Sequence, residues 1–303
     1  MAISRAQLVK ELEPGLNALF GLEYKQYENQ HSEIYTSESS DRAFEEEVML
    51  SGFANAQVKG EGAGVSFDEA QETFSARYTH ETVALAFAIT EEAIEDNLYD
   101  RIASRYTKAL ARSMSNTKQV KSVEPLINGL PTTDSFDSGD GVSLFSTAHP
   151  TIAGTYKNTL SAQADLNETS LEQSLIDIAA MTDERGLRIA ARGVKMIIPS
   201  KLQFTAERLM KSQGRTATAD NDINAIASMG MIPQGYRVNN YLTDDDAFYI
   251  ITDVPNGMKM FNRAPLTTAM EGDFDTGNVR YKARERYSFG VSDFRGIFAL
   301  EGA

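Results

Sequence analysis

Ile94, Leu98, Ile102, Tyr106, Leu110, Met114, Thr117 and Val120 recur at intervals of four residues, closing to three at the end. That spacing keeps one apolar stripe on an α-helix. Thr90 is a suitable N-cap, and Glu91 and Glu92 fall in the first turn, where the helix dipole favours acids. Pro125 sets the expected end, so the helix is predicted over 90–124. At 1.5 Å per residue it would span roughly 50 Å. A rod of that length dictates an elongated molecule. Arg101, Arg105, Lys108 and Arg112 form a second, basic stripe on it.

The segment before the helix cannot bury itself. Residues 48–89 read as a long β-hairpin, with a glycine-rich tip "KGEGAGVSFDEAQ" and a returning arm "TFSARYTHETVALAFAI" rich in β-branched and aromatic residues. A lone two-stranded ribbon is marginal in water, so this one requires a partner beneath it. Upstream, residues 4–13 read as a short helix carrying Leu8 and Leu12, stopped by Pro14 and Gly15. Residues 24–47 are polar and aperiodic, as expected of an extended arm ordered by other surfaces.

Downstream of the helix the pattern changes. Residues 129–167 are loop-rich. Thr169 with Glu172, and Ser200 with Gln203, have capping-box spacing before two amphipathic runs. "GVKMIIP" is a short buried strand, and "YRVNNYLTDDDAFYIITDV" reads as a hairpin turning at Asp244–Asp246. Near the end, "GNVRYKARERYSFG" alternates strictly. Arg280, Lys282, Arg284 and Arg286 take one face of a strand, and Val279, Tyr281, Ala283, Tyr287 and Phe289 the other. Glu285 is the single charge on the apolar face, where desolvation would raise its pKa.

The cationic strand stands out because the chain is acidic. The first 100 residues carry 20 Asp and Glu against 6 Lys and Arg, and the rest carry 23 of each, so the whole charge of −14 lies in the first third. Such a split suits segments that meet complementary surfaces. There is no cysteine, hence no disulfide framework or thiol nucleophile, and the expected setting is intracellular or one where redox state does not matter. No apolar run approaches the roughly 20 residues of a membrane span, and "MAISRAQLVKELEPG" is no secretory signal. His31, His80 and His149 have no metal-ligand spacing, and no serine lies in a GxSxG elbow. "GEGAG" at 60–64 is not a dinucleotide fingerprint, and the Asp cluster of "TDDDAF" lacks the spacing of a calcium loop. A structural protein is therefore expected, with no enzymatic activity, cofactor or metal.

An acidic arm, an unsupported hairpin, a long helix, an α/β module and a return to strands together resemble the tailed-phage major capsid protein of the Hong Kong 97 fold. The segments "LFSTAHP", "SLEQSLIDIAAMTDERGLRIAARGVKMIIPSKLQFTAERLMKS", "YLTDDDAF" and "EGDFDTGNVRYKARERYSFG" are similar to the Mu-type major head subunit branch. The resemblance implies an α+β fold divided into an N-terminal arm (1–47), an E-loop hairpin (48–89), a P-domain with its spine helix (90–149), an A-domain (150–262) and return strands of the P-domain (263–303). It implies pentamers and hexamers forming an icosahedral shell around double-stranded DNA. The protein would then be assembled in the host cytoplasm and located in the virion capsid, with no membrane partner. A portal protein, a scaffolding protein and a decoration protein are the further partners expected. An encapsulin-type nanocompartment shell is the alternative, separated by its cargo.

The resemblance also bears on particular residues. Some members of the family form an isopeptide bond between an E-loop Lys and a P-domain Asn, assisted by a Glu. Lys59, Asn278 and Glu285 match these by position. The other reading is that Asn278 shapes the start of the strand and Glu285 pairs with an Arg across a subunit interface. The cationic face is expected to receive acidic residues from neighbours, the candidates being Glu45, Glu46, Glu47, Glu61, Asp68, Glu69 and Glu72. The helix stripe from Arg101 to Arg112 is either a solvated face, a surface paired with acids of an adjoining subunit, or a nonspecific, salt-sensitive contact to packaged DNA.

Overall fold

The computed structural model describes residues 5–90, 92, 99–133, 135–214, 222–273 and 277–302. Glu91, Ile94, Leu98 and the side chains of Leu8, Leu12, Arg101 and Ile102 lie outside the described residues.

The chain opens with α1 (Arg5–Gln26) and a 3₁₀ turn at Gln30–Glu33, then β1 (Thr36–Ser39) and β2 (Phe44–Leu50). After a long irregular segment come β3 (Glu72–Thr79), β4 (Glu81–Ile89) and the long helix α2 (Tyr99–Asn128). Two short strands follow, β5 (His149–Thr151) and β6 (Gly154–Tyr156), then α3 (Glu168–Ala179), β7 (Gly193–Ile198) and α4 (Gln203–Lys211). The remainder is α5 (Ala225–Met229), β8 (Tyr236–Val238), β9 (Phe248–Thr252), β10 (Met258–Gly272), β11 (Val279–Val291) and β12 (Ile297–Leu300).

Both prolines expected to stop a helix lie inside one. Pro14 sits within α1 and Pro125 within α2. Each costs a backbone hydrogen bond and roughly 3 kcal/mol in a helix interior. Burial of the neighbouring turns offsets this. Leu16 and Phe20 follow Pro14 into one core, and Val123, Leu126 and Leu130 flank Pro125 in another. The apolar stripe of α2 is also displaced from the expected one. Tyr106 and Val120 are exposed, while Ala103, Thr107, Leu110, Ala111, Met114 and Gln119 are buried. An i, i+4 ladder drifts about 40° per step around a helix of 3.6 residues per turn, so mixed steps of three and four hold the true face.

Two four-stranded sheets share that helix. The first has the order β1-β10-β11-β4, with β1 parallel to β10 and the other pairs antiparallel. One of its faces is covered by α1 and the first half of α2, through Leu16, Phe20, Leu110, Ala111, Met114, Tyr281 and Ala283. The second sheet has the order β12-β9-β7-β8. Met196, Ile198, Phe248, Ile250 and Phe298 face α3 and α4, and Ile197, Tyr249 and Ala299 face the second half of α2.

Several expected connections differ. β8 and β9 are not a hairpin, for both pair with β7, which lies between them because Met196, Ile197 and Ile198 are apolar on both faces. β12 pairs with β9, so the last strand joins the sheet of the 150–262 region instead of returning with β10 and β11. α3 is capped by Asn167 and Ser170, not by Thr169 and Glu172, and α4 enters through a 3₁₀ turn without a side-chain cap. The arm at 24–47 is ordered by its own chain, since Ile34 and Tyr35 are buried, the Tyr35 hydroxyl donates to the Ser122 carbonyl at 2.7 Å, and β1 completes the first sheet.

The hairpin is β2 with β3, spanning 44–79, and the returning arm breaks at His80. Beyond that residue β4 leaves the ribbon and pairs with β11. Alternation alone cannot locate such a break, because Thr79 and Glu81 continue the pattern while their partners change.

Candidate inter-subunit surfaces

The alternation of β11 is realised from Val279 to Tyr287 and ends there, for Ser288, Gly290 and Val291 are buried and Phe289 is half-buried. Val279, Tyr281, Ala283, Glu285 and Tyr287 are buried, while Arg280, Lys282 and Arg284 are exposed and Arg286 is half-buried. Over that stretch the pleat sends Tyr281 and Ala283 under α1 and Tyr287 toward the second half of α2, and the even residues outward. The register places small side chains beside the cations. Lys282 lies between Ala86 and Ala269, and Arg284 between Ala84 and Thr267. The exposed face is thus a low shelf from which the basic side chains project.

The shelf is not uniformly free. Arg280 donates to Asp273 at 2.5 Å. Lys282 and Arg284 make no salt bridge among the described residues, which leaves two uncompensated cations at its centre.

Glu285 lies on the opposite face and is 2% exposed. Its Oε2 accepts from Lys118 of α2 at 3.1 Å and from the Tyr24 hydroxyl of α1 at 3.4 Å, while Oε1 has no partner. Burial raises its pKa, against the lowering effect of Lys118. The pairing expected with an Arg of another subunit is therefore made within the chain, with a Lys. Sequence reasoning missed Lys118 because the residues are 167 positions apart. Asn278 precedes β11 by one residue, so seven residues, about 23 Å of extended strand, and a change of face separate it from Glu285. Lys59, Asn278 and Glu285 are not brought together within one chain.

The acidic candidates divide into two groups. Glu47 is held by Lys259 at 2.5 Å and by Ser292, Glu45 accepts from Ser40 at 2.6 Å, and Glu46 pairs with Arg77 at 3.7 Å. These three serve their own subunit. Asp68 accepts from the Ala54 amide at 2.7 Å, and Arg185 donates to the Glu69 carbonyl at 2.5 Å. Lys59, Glu61 and Glu72 are exposed.

The segment 51–71 has almost no regular structure and little beneath it. Ser51 and Gln71 close its base, and Gly62, with positive φ, makes its tip. Val58 is 100% exposed and Phe67 97% exposed, with Phe53 and Val65 also largely in solvent. Apolar side chains so placed make the loop a candidate interaction surface. On α2, the exposed Arg105, Lys108 and Arg112 make no salt bridge among the described residues.

The family model described as "Phage capsid protein" matches residues 72–300. The chain belongs to the phage capsid protein family. Solved structures of the same fold are similar along most of the subunit. The capsid of Myoviridae phage XM1 is 12% identical, with a TM-score of 0.53 over 89% of each chain. The capsid of an empty GTA particle is 16% identical, with a TM-score of 0.52 over 90% of this chain and 89% of that one. A virus-like particle from Pyrococcus furiosus is 12% identical, with a TM-score of 0.52 over 94% of this chain and 98% of that one. No curated protein matches the chain in sequence. The α+β architecture is thus the Hong Kong 97 capsid fold. No helix among the described residues is long and apolar enough to cross a membrane.

Proposed function

We propose that this is a major capsid protein of the Mu-type branch, a structural and non-enzymatic subunit that forms pentamers and hexamers of an icosahedral shell around double-stranded DNA. The observation that carries this reading is the pairing of an uncovered, acidic and apolar loop at 51–71 with a bare cationic shelf on β11, in a chain of the phage capsid family. The division into arm, E-loop, P-domain and A-domain follows the resemblance, with the last strand, β12, reassigned to the A-domain sheet. Glu61 and Glu72 of one copy, with Asp68 and Glu69 beside them, meet Lys282 and Arg284 of the next. Each such contact is modest, and a closed shell makes them effective by repetition.

The basic stripe Arg105–Arg112 lies toward DNA or toward an acidic neighbour, and only the first makes binding weak, nonspecific and salt-dependent. Lys59 remains the candidate cross-link donor, with Asn278 and Glu285 then supplied by separate copies. A portal protein, a scaffolding protein and a decoration protein are the further partners, and assembly takes place in the host cytoplasm. Electron microscopy of particles purified from cells expressing the chain tests the reading. Closed shells are expected; uniform shells from this chain alone would count against a required scaffold, and a soluble monomer with or without scaffold would overturn the reading. Particles filled with a specific protein instead of nucleic acid would favour the nanocompartment.

A further inference from the structure

His80 occupies the one residue between β3 and β4, where the chain passes from the free hairpin into the sheet. Its ring is buried and held on both sides. Nε2 lies 2.9 Å from Ser40 Oγ, in the turn between β1 and β2, and Nδ1 lies 2.9 Å from Ser288 Oγ of β11. The Ser40 hydroxyl is committed as a donor to Glu45 of β2 at 2.6 Å. It must therefore accept from His80, which makes Nε2 the protonated nitrogen and leaves Nδ1 to accept from Ser288. Every donor and acceptor is matched for a neutral ring.

Two other contacts fasten the hairpin root. Glu47 of β2 is held by Lys259 of β10, which also reaches Glu38 of β1. The Tyr78 ring lies against Gly290, where an added Cβ would sit 2.7 Å from the ring, and its hydroxyl meets Ser292 at 2.5 Å. His80 is the member whose ordinary range brings a charge change in mildly acidic solution.

We propose that His80 is the proton-sensitive latch of a hinge that sets the pose of the β2–β3 hairpin on the body of the capsid subunit. As a neutral ring it bridges Ser40 and Ser288 and holds the hairpin root against β11. On proton uptake Nδ1 becomes a donor, the Ser288 hydroxyl must turn its own proton away, and a new charge appears beside Arg286 of β11 and Arg263 of β10. Glu45 of β2 opposes them. Burial first, then Arg286, hold the ring's pKa below its usual value, so the latch is closed at neutral pH and loosens as pH falls.

The absence of native cysteine allows a clean distance measurement. In the full chain, cysteines replacing Glu61 at the loop tip and Ser228 on α5 carry spin labels. At pH 7.5 one narrow distance distribution is expected. On acidification it should shift or broaden with the midpoint at which the His80 ring titrates by NMR, and amide exchange in the β2–β3 strands should rise at least about tenfold. His80→Gln preserves a donor toward Ser40 and an acceptor toward Ser288 but takes no proton. It should keep the narrow distribution at both pH values. An unchanged wild-type distribution across the His80 titration, a midpoint that follows His31 or His149 instead, or an H80Q response equal to wild type would each overturn the proposal. If H80Q fails to fold, the coincidence of the two wild-type midpoints decides alone.

Discussion

The sheet β12-β9-β7-β8 and the loop 51–71 are opposite solutions to the same problem. In the sheet, apolar side chains go inward on both faces: Phe248, Phe298 and Leu300 are fully buried against α3 and α4, and Tyr249 and Ala299 against α2. In the loop, apolar side chains of similar size stand in water with almost no contact to their own chain. The same residue type therefore carries folding energy in one region and none in the other. What the loop lacks is a partner, and in the shell proposed above a neighbouring copy supplies one.

The comparison can be broken most forcefully in the sheet. Phe298→Ala removes a fully buried ring from β12 and should cost about 3–5 kcal/mol in denaturant unfolding. Little loss there would mean that the second sheet is not a self-sufficient core. Next comes Lys118→Met, which strands the Glu285 carboxylate beneath α1 and should cost about 3 kcal/mol. The double change with Glu285→Leu should recover most of it. Because the Glu285 pKa is raised in the folded state, its contribution is fully present below the unfolded value and is lost as pH rises through the folded one. Glu285→Gln should flatten that part of the stability profile.

His31 gives a contribution of the opposite sign. Burial first, then Lys118, lower its pKa to about 4. Its stabilisation is complete above about pH 6.5, the unfolded value, and is lost as pH falls through about 4, a span of about 3 kcal/mol that His31→Gln should abolish. Smallest in their effect on folding are Phe67→Ser in the loop and Arg284→Glu on the shelf, each expected within about 0.5 kcal/mol of the parent. Both should nevertheless reduce the yield of closed shells by electron microscopy. Normal shells from both would remove the loop and shelf from the interface.

Much of the fold was legible wherever one residue's surroundings repeat along the chain. The cationic face of β11, the buried strand β7 and the existence of α2 all follow from periodicity. Lys118 opposite Glu285 was not legible, because nothing local links a helix residue to a strand 167 positions later. The His80 break was hidden for a related reason: β3 and β4 have the same alternation but different partners. Glu47 looked as available as Glu61, yet Lys259 and Ser292 lie within its reach.

By itself the sequence determined which positions of β11 from Val279 to Tyr287 face inward, since side-chain direction alternates along a strand. It also determined the surplus of acid in the first third. Tertiary structure alone decided that helices run through Pro14 and Pro125, that β12 joins β9, and that Glu285 is neutralised within its own subunit. Each of these is a balance between a local cost of a few kcal/mol and burial supplied by residues far away in the chain, and that balance exists only once the distant surfaces meet.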